Sequence, residues 1–286
     1  MELIAVIGAG TMGHGIAQAT AQAGYQVRLT DASGDVLEAA IQRVGKTLDG
    51  GVARGKLTRQ DAKNTLERIL PVPSLTEAVD GADLVIEAVV EDLEVKQDVF
   101  RQAEAAVRDN TILASNTSSL SLARIAEAVR RPERLLGMHF FNPVHIMKLV
   151  EIVVHDRTDD GVVAEVAALV EEMGKRPIRV KDAPGFASSR LGVVLGLEAM
   201  RMLEAGIASA EDIDTAMELG YGHAMGPLRV SDLVGLDVRL AVAEYLHREL
   251  GDAHYAPPAI LRRKVEAGEL GKKTGKGFYE WREDAK

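Results

Sequence analysis

Near the start of the chain a short apolar run, Leu3-Ile4-Ala5-Val6-Ile7, gives way to Gly8-Ala9-Gly10-Thr11-Met12-Gly13. Ile16-Ala17-Gln18-Ala19-Thr20-Ala21 follows with helical spacing. Strand, glycine turn and helix in that order leave few folds open. Gly8 permits the tight turn, Gly10 lets the backbone approach a pyrophosphate, and Gly13 lets the helix lie close on the strand. Thr11 and Met12 complete the same cofactor-binding turn, and the helix N-terminus beyond it offers free N–H groups and the positive end of its dipole. Gly24 ends the helix, and Tyr25-Gln26-Val27-Arg28-Leu29-Thr30 forms a second strand that closes on Asp31. Asp31 lies close to the roughly 20-residue offset at which an acidic side chain accepts hydrogen bonds from ribose hydroxyls. A carboxylate there repels a 2′-phosphate, so the spacing points to NAD in preference to NADP, with Arg28 the neighbouring charge that would soften the rule.

A chain of 286 residues exceeds the usual single-domain size, so one large and one smaller domain are expected. The hydrophobic fraction of 47% and charged fraction of 27% fit a globular enzyme and not a disordered or collagenous chain. A formal net charge of −9 argues against a nucleic-acid partner, since phosphate neutralisation needs surplus Lys and Arg. It leaves room for an anionic substrate held by a local basic patch. Without cysteine there is neither a disulfide nor a thiolate metal site, which fits a reducing cytoplasm. Met1-Glu2-Leu3 enters a strand at once and no long apolar segment follows, so neither a signal peptide nor a membrane span is expected.

Beyond Asp31, Asp35 to Leu48 is helix-compatible throughout, and Gly50-Gly51 reads as its stop. A short basic loop, Val52 to Leu57, leads to Thr58-Arg59-Gln60-Asp61, which opens the next helix as a capping pattern. This helical hairpin is extra to a minimal dinucleotide fold and suggests a substrate clamp, in which Arg54, Lys56 and Arg59 either meet a phosphorylated substrate or form a solvated face. Asp83 to Val90 reads as the next buried strand and ends at Glu91-Asp92. Ligands bind beyond the carboxyl ends of parallel strands, so Glu91 and the nearby Lys96 belong close to the cofactor. Thr111-Ile112-Leu113-Ala114 repeats the pattern, and its carboxyl end delivers a polar shelf, Ser115-Asn116-Thr117-Ser118-Ser119.

A further apolar run, Leu149-Val150-Glu151-Ile152-Val153-Val154, carries one carboxylate. Desolvating an unpaired charge costs several kcal/mol, so Glu151 in a buried strand needs a partner. His139, upstream in Gly137-Met138-His139-Phe140-Phe141-Asn142-Pro143, is the candidate, and an imidazole–carboxylate pair across neighbouring segments is a poised proton acceptor. From about residue 184 the pattern is helical. Pro184 suits a first helical turn, Phe186 to Ala205 is apolar on most faces, and Ser209-Ala210-Glu211-Asp212 caps the next helix. Val238, Val242, Leu246 and Leu250 repeat at four-residue spacing, and Pro258 to Ala267 forms a final helix. So few helices cannot bury this much apolar face alone, which points to a homodimer. The expected architecture is α/β: a Rossmann-type, doubly wound, mostly parallel sheet over residues 1–183 and an all-helical dimerisation and substrate domain over 184–286.

The glycine turn, Ser115-Asn116-Thr117-Ser118-Ser119-Leu120, His139-Phe140-Phe141-Asn142-Pro143, Lys148-Leu149-Val150-Glu151, Pro184-Gly185-Phe186 and Met225-Gly226-Pro227 occur in order, and Gly271 to Tyr279 closes the chain. Together they resemble the L-3-hydroxyacyl-CoA dehydrogenase family, most closely its stand-alone 3-hydroxybutyryl-CoA dehydrogenases, over essentially the whole length. The resemblance implies an NAD-dependent oxidoreductase of fatty acid metabolism and β-oxidation that takes an acyl-CoA substrate and needs no metal. By the same resemblance His139 is the catalytic acid/base, Glu151 orients it, and Ser118 holds the reacting oxygen. Asn116, Glu91 and Lys96 lie at the nicotinamide, and Asn142 is close to substrate. One position departs from the family pattern: Ser189, a substrate-binding candidate, replaces the usual asparagine after Pro184-Gly185-Phe186, which puts it in doubt as a catalytic residue but leaves the family assignment unchanged. A CoA-independent dehydrogenase of a free hydroxy or sugar acid, or a non-catalytic crystallin-like dinucleotide binder, is the competing reading.

Overall fold

The computed structural model describes residues 1–281, which form two compact units that meet in sequence at Ala183 and Pro184. In the first unit β1 (Leu3–Ile7) is flanked by β2 (Gln26–Thr30) and β4 (Leu84–Glu87), with β3 (Ile69–Pro71) outside β2. On the other side β5 (Ile112–Ser115), β6 (Leu135–Phe140), β7 (Leu149–Val154) and β8 (Arg176–Lys181) complete an eight-stranded sheet of order β3-β2-β1-β4-β5-β6-β7-β8. Every neighbouring pair is parallel except β6 and β7, which run antiparallel. The central strands β4, β5 and β6 are buried at every residue, as strands covered on both faces must be, which is why they read as unbroken apolar runs. The chain moves outward from β1 in one direction to β3 and then crosses to β4 on the other side. The cleft at the carboxyl ends of β1 and β4 is therefore the switch point where such sheets bind ligands.

Helix α1 (Gly13–Gln22) returns from β1 to β2, and α2 (Gly34–Ala53) with α3 (Arg59–Glu67) forms the hairpin after β2. Thr58 and Asp61 make the reciprocal capping box expected at the start of α3. Helix α2, however, continues through Gly50 and Gly51 instead of stopping there. A Cβ on Gly51 would lie 3.0 Å from the Leu57 side chain, so this glycine admits the returning loop and does not end the helix. Helices α4 (Leu75–Val79), α5 (Leu93–Ala106), α6 (Leu122–Ile125) and α7 (Asp160–Glu172) complete the unit. Strand β4 also ends at Glu87, three residues before the expected Val90, because the Val89 N–H turns back to the Glu87 carboxylate at 2.7 Å.

The second unit contains α8 (Ser188–Glu204), α9 (Ala210–Tyr221), α10 (Pro227–Val234), α11 (Leu236–Leu250) and α12 (Ala259–Glu266), around a core that includes Leu197, Met200, Leu228, Leu236 and Leu246. Helix α8 begins at Ser188, four residues after the Pro184 expected in its first turn: Gly185 and Phe186 both have positive φ, 75° and 47°, which no right-handed helix admits. Small bridges pair Gly271 with Lys276 and Lys276 with Glu280, so the unit is not wholly helical. No helix among the described residues is long and apolar enough to cross a membrane.

Asp232 on α10 anchors the end of this unit. Fully buried, it accepts hydrogen bonds from the Phe278 N–H, the Tyr279 N–H and Trp281 Nε1, each at 2.9 Å. A Cβ on Gly277 would meet its carboxylate at 2.2 Å, which explains the glycine before Phe278. Losing a buried acceptor strands its donors, at about 1–3 kcal/mol for each. Asp232→Ala should therefore lower unfolding free energy by about 3 kcal/mol or more. Denaturant titration followed at Trp281, the single tryptophan, reads this unit directly, and a loss below about 1 kcal/mol would show that the contacts are incidental.

Candidate active site

The glycine turn has the shape its spacing implies. Gly8 has φ 99°, and a Cβ there would lie 2.5 Å from the Ala88 carbonyl oxygen; one on Gly13 would collide with the Gly8 carbonyl at 1.6 Å. A Cβ on Gly10 meets nothing within 4 Å, so the backbone there borders open space. Met12 stands at the N-cap of α1 without a side-chain cap, and no acidic residue occupies the first turn, which leaves the leading N–H groups available to an anion. Asp31 follows β2, its Oδ2 accepting from the Ala9 N–H at 2.8 Å and its Oδ1 from the Ser33 N–H at 3.0 Å. The cavity beside it, about 500 Å³, is lined by Gly8, Gly10 and Asp31 and walled by Val89, Val90 and Val95. Open backbone, uncapped helix, acidic residue and apolar wall fit an adenine dinucleotide. Arg28 is committed elsewhere, donating to the Glu77 and Asp80 carbonyls at 2.9 and 2.8 Å, so it does not soften the acidic residue's preference.

At the same edge of the sheet, the antiparallel register sets His139 of β6 directly opposite Glu151 of β7. Their side chains join through His139 Nδ1 and Glu151 Oε2 at 2.7 Å, with Glu151 fully buried and His139 nearly so. Phe141 packs against the imidazole with ring centroids 4.5 Å apart. Each charge-bearing group thus gains a partner in a site where a lone one would be costly.

Between these two features lies the polar shelf after β5. Glu91 organises it: Oε1 accepts from Thr117 Oγ1 at 2.6 Å, the Ser118 N–H at 2.9 Å, the Ser119 N–H at 3.1 Å and Ser119 Oγ at 2.9 Å. Burial opposes its ionisation, but Lys96 and these donors outweigh that and hold its carboxyl below the ordinary carboxylate range. Its ionised form therefore supports the turn at neutral pH, and that support is lost only as pH falls through the depressed value. Ser118 is exposed, its hydroxyl reaching Glu91 Oε1 in a long hydrogen bond of 3.4 Å, and Asn116 Oδ1 accepts from the Phe140 N–H at 3.0 Å, tying the shelf to β6 next to His139. Lys96 is not an open cation: its ammonium is buried between Glu87, at 2.6 Å, and Glu91, at 3.3 Å. Glu87, the last residue of β4, was not singled out in the sequence, although its place beside Glu91 at a strand end carried the same signal.

Asn142 is exposed on the connection from β6 to β7, and the next residue but one, Val144, is buried. A Cβ on Gly15 would touch the Val144 side chain at 3.0 Å, so the connection rests on α1. Lys175 ties it down from the other side, donating to the Val144 and Met147 carbonyls at 2.5 and 2.8 Å. Neither Gly15 nor Lys175 stood out in the sequence, because each works through a backbone contact made only on folding. His145 on this connection titrates below the usual imidazole range, through burial first and then the charges of Arg54, Lys175, His14 and Lys56. Arg59 instead lines a groove between α2 and α3. Ser189 sits half-buried in the first turn of α8, in the second unit. No cluster of His, Cys, Asp and Glu among the described residues is arranged to hold a metal ion.

Comparison with known proteins agrees with this geometry. Residues 3–183 match the NAD binding domain of 3-hydroxyacyl-CoA dehydrogenase, and residues 185–281 match its C-terminal domain. A 3-hydroxybutyryl-CoA dehydrogenase of Mycobacterium tuberculosis is 43% identical over 283 residues, 98% of each chain. The 3-hydroxyadipyl-CoA dehydrogenase of Escherichia coli is 42% identical over 283 residues, 99% of this chain and 59% of that protein. The crystal structure of (S)-3-hydroxybutyryl-CoA dehydrogenase from Ralstonia eutropha superposes with a TM-score of 0.95 at 41% identity, covering 99% of this chain and 100% of that one. A doubly wound sheet with a cleft shaped for a dinucleotide, two matched domains and identity above 40% from end to end place this chain in the 3-hydroxyacyl-CoA dehydrogenase family, as an NAD-dependent oxidoreductase.

Proposed function

We propose that this protein interconverts a short-chain L-3-hydroxyacyl-CoA, with 3-hydroxybutyryl-CoA as the reference substrate, and its 3-oxoacyl-CoA. The observation that carries this reading is the 2.7 Å contact between His139 Nδ1 and Glu151, made beside a cleft whose turn and acidic residue suit NAD. When Nδ1–H donates to the carboxylate, Nε2 is the basic nitrogen, and it takes the proton of the substrate hydroxyl. Glu151, fully buried, then balances the imidazolium. The exposed Ser118 hydroxyl donates to the reacting oxygen, and Asn142 borders the substrate. Bound NAD supplies the hydride acceptor; the protein supplies orientation and the proton. In the reductive direction the imidazolium returns that proton.

Glu91, Asn116 and the buried Lys96 shape the nicotinamide half of the cleft, and Gly8, Gly10, Thr11, Met12, Gly13 and Asp31 the adenosine half. Arg54 and Lys56, whose field reaches His145, offer the cationic rim that an acyl-CoA needs for its phosphates. Ser189 lies in the first turn of α8 in the second unit, and its hydroxyl, shorter than the asparagine of the family pattern, can still donate to substrate. The homodimer is supported by large apolar side chains left exposed on that unit, among them Leu191 at 72%, Leu219 at 83% and Tyr221 at 79%. Exposed apolar surface of this extent marks an interaction face.

The deciding experiment is NADH oxidation with acetoacetyl-CoA, longer 3-oxoacyl-CoAs, 3-oxoadipyl-CoA and free 3-oxo acids. The highest kcat/KM should fall on acetoacetyl-CoA; equal turnover of free acids would replace the reading with a CoA-independent dehydrogenase. His139→Gln should reduce kcat by about 10²–10⁴-fold while NADH still binds, and near-normal turnover would remove His139 from proton transfer. Glu151→Gln, similar in shape, should lower kcat with the fold intact, and unchanged kinetics would make its charge merely structural. Asp31→Ala should relax the preference for NAD, and a wild-type enzyme that favours NADP would defeat that assignment.

A further inference from the structure

Glu87 takes no part in the proton transfer, yet it is a fully buried carboxylate at the carboxyl edge of the sheet. In the register it stands beside Ile7, the last residue of β1, and Ser115, the last of β5. Both of its oxygens are occupied. Oε1 accepts from the Val89 N–H at 2.7 Å and from Lys96 Nζ at 2.6 Å, and Oε2 accepts from the Ser115 hydroxyl at 2.6 Å. Ser115 Oγ in turn accepts from the Thr117 N–H at 3.2 Å. Lys96, only 1% exposed, also donates to the Val89 carbonyl at 3.4 Å and forms an ion pair with Glu91 Oε2 at 3.3 Å. Two carboxylates and one carbonyl thus surround the ammonium. Lys96 therefore reaches a ligand through Glu91, whose side chain is 37% exposed and whose other oxygen gathers Thr117, Ser118 and Ser119.

We propose that Glu87 is a positioning residue for the cofactor: it fixes Lys96 and Ser115, and through them Glu91 and the 115–119 turn that borders the nicotinamide. The inference rests on the placement of NAD in the cleft given above. A buried ammonium deprived of Glu87 must swing toward water or draw Glu91 inward, and either movement deforms the turn. The effect falls on cofactor affinity and on the turn that carries Ser118, and not on the proton-accepting pair, because His139 and Glu151 lie on β6 and β7, beyond β5 from Glu87. Glu87 thus governs KM for NADH, while the pH profile of kcat stays with His139.

The test is a double-mutant cycle on the full-length enzyme, with NADH fluorescence titration, steady-state kinetics and thermal unfolding on each form. Glu87→Gln should weaken NADH binding about tenfold or more, the loss that goes with one hydrogen bond to a charged group. Lys96→Met should weaken it comparably, and the double variant should bind no more than about twofold worse than Lys96→Met alone, since Glu87 acts through Lys96. The pH profile of kcat should keep its position in Glu87→Gln. Wild-type NADH affinity in Glu87→Gln, with only the thermal midpoint lowered, reduces the pair to a core contact and overturns the proposal. Losses that multiply in the double variant overturn it as well. If Asp31→Ala and Lys96→Met both bind NADH normally, the cleft assignment itself falls; if Lys96→Met loses affinity and Glu87→Gln does not, only this proposal falls. Should Glu87→Gln not fold, Ser115→Ala removes the contact at Oε2 together with the acceptor of the Thr117 N–H, and an unchanged KM for NADH in that variant overturns the proposal.

Discussion

The contact on which the site depends is an imidazole–carboxylate pair formed across the one antiparallel seam of the sheet. The antiparallel ladder sets His139 and Glu151 directly opposite each other. Burial makes the arrangement binding. A carboxylate without solvent costs several kcal/mol unless it is paired, so Glu151 holds the imidazole in one orientation as firmly as the core holds Glu151. Reversal of chain direction between β6 and β7 thus brings the imidazole and the carboxylate together, as the parallel register of β4 and β5 brings Glu87 beside Ser115.

The rest of the cleft is held by backbone acceptors and donors more than by side-chain pairs. Ala9 N–H bonds to Asp31, Ser118 and Ser119 N–H to Glu91, Val89 N–H to Glu87, and Lys175 holds two carbonyls of the connection after β6. Charged groups, most of them from another loop, in this way fasten the loops at the carboxyl edge. Charge-assisted bonds of this kind are about twice as strong as neutral ones, which suits loops that must keep their shape before a ligand arrives. Fastening of one loop by another also makes the edge a network, in which Glu87, Lys96 and Glu91 share a single cation between two carboxylates.

Much of this was legible in the chain. The turn from Gly8 to Gly13, the acidic residue at 31, the polar run after β5 and the pairing of His139 with Glu151 follow from local pattern and the rule against buried unpaired charge. Other features were not. Strand β3 has three residues and ends in proline, and β8 alternates exposed charges with apolar residues, so neither gives the apolar run by which the inner strands are read. Gly50-Gly51 looked like a helix stop because sequence shows a missing side chain but not the Leu57 that fills its place. Lys96 looked like an open ligand because its two carboxylate partners become neighbours only when β4 and α5 close on each other.

What the sequence determined by itself is whatever depends on neighbours within a few residues: the glycine turn, the helix caps, the alternation of strand and helix, and the order of motifs that identifies the family. Tertiary structure decided what depends on distance across the fold. It set the direction of β7, the partners of Lys96, the clasp of Lys175 on the loop that carries Asn142, and the commitment of Arg28 to the end of α4. The division has a physical cause. Backbone preference and hydrophobic period are local properties of a chain, whereas electrostatic partnership and close approach exist only between surfaces that folding has brought together.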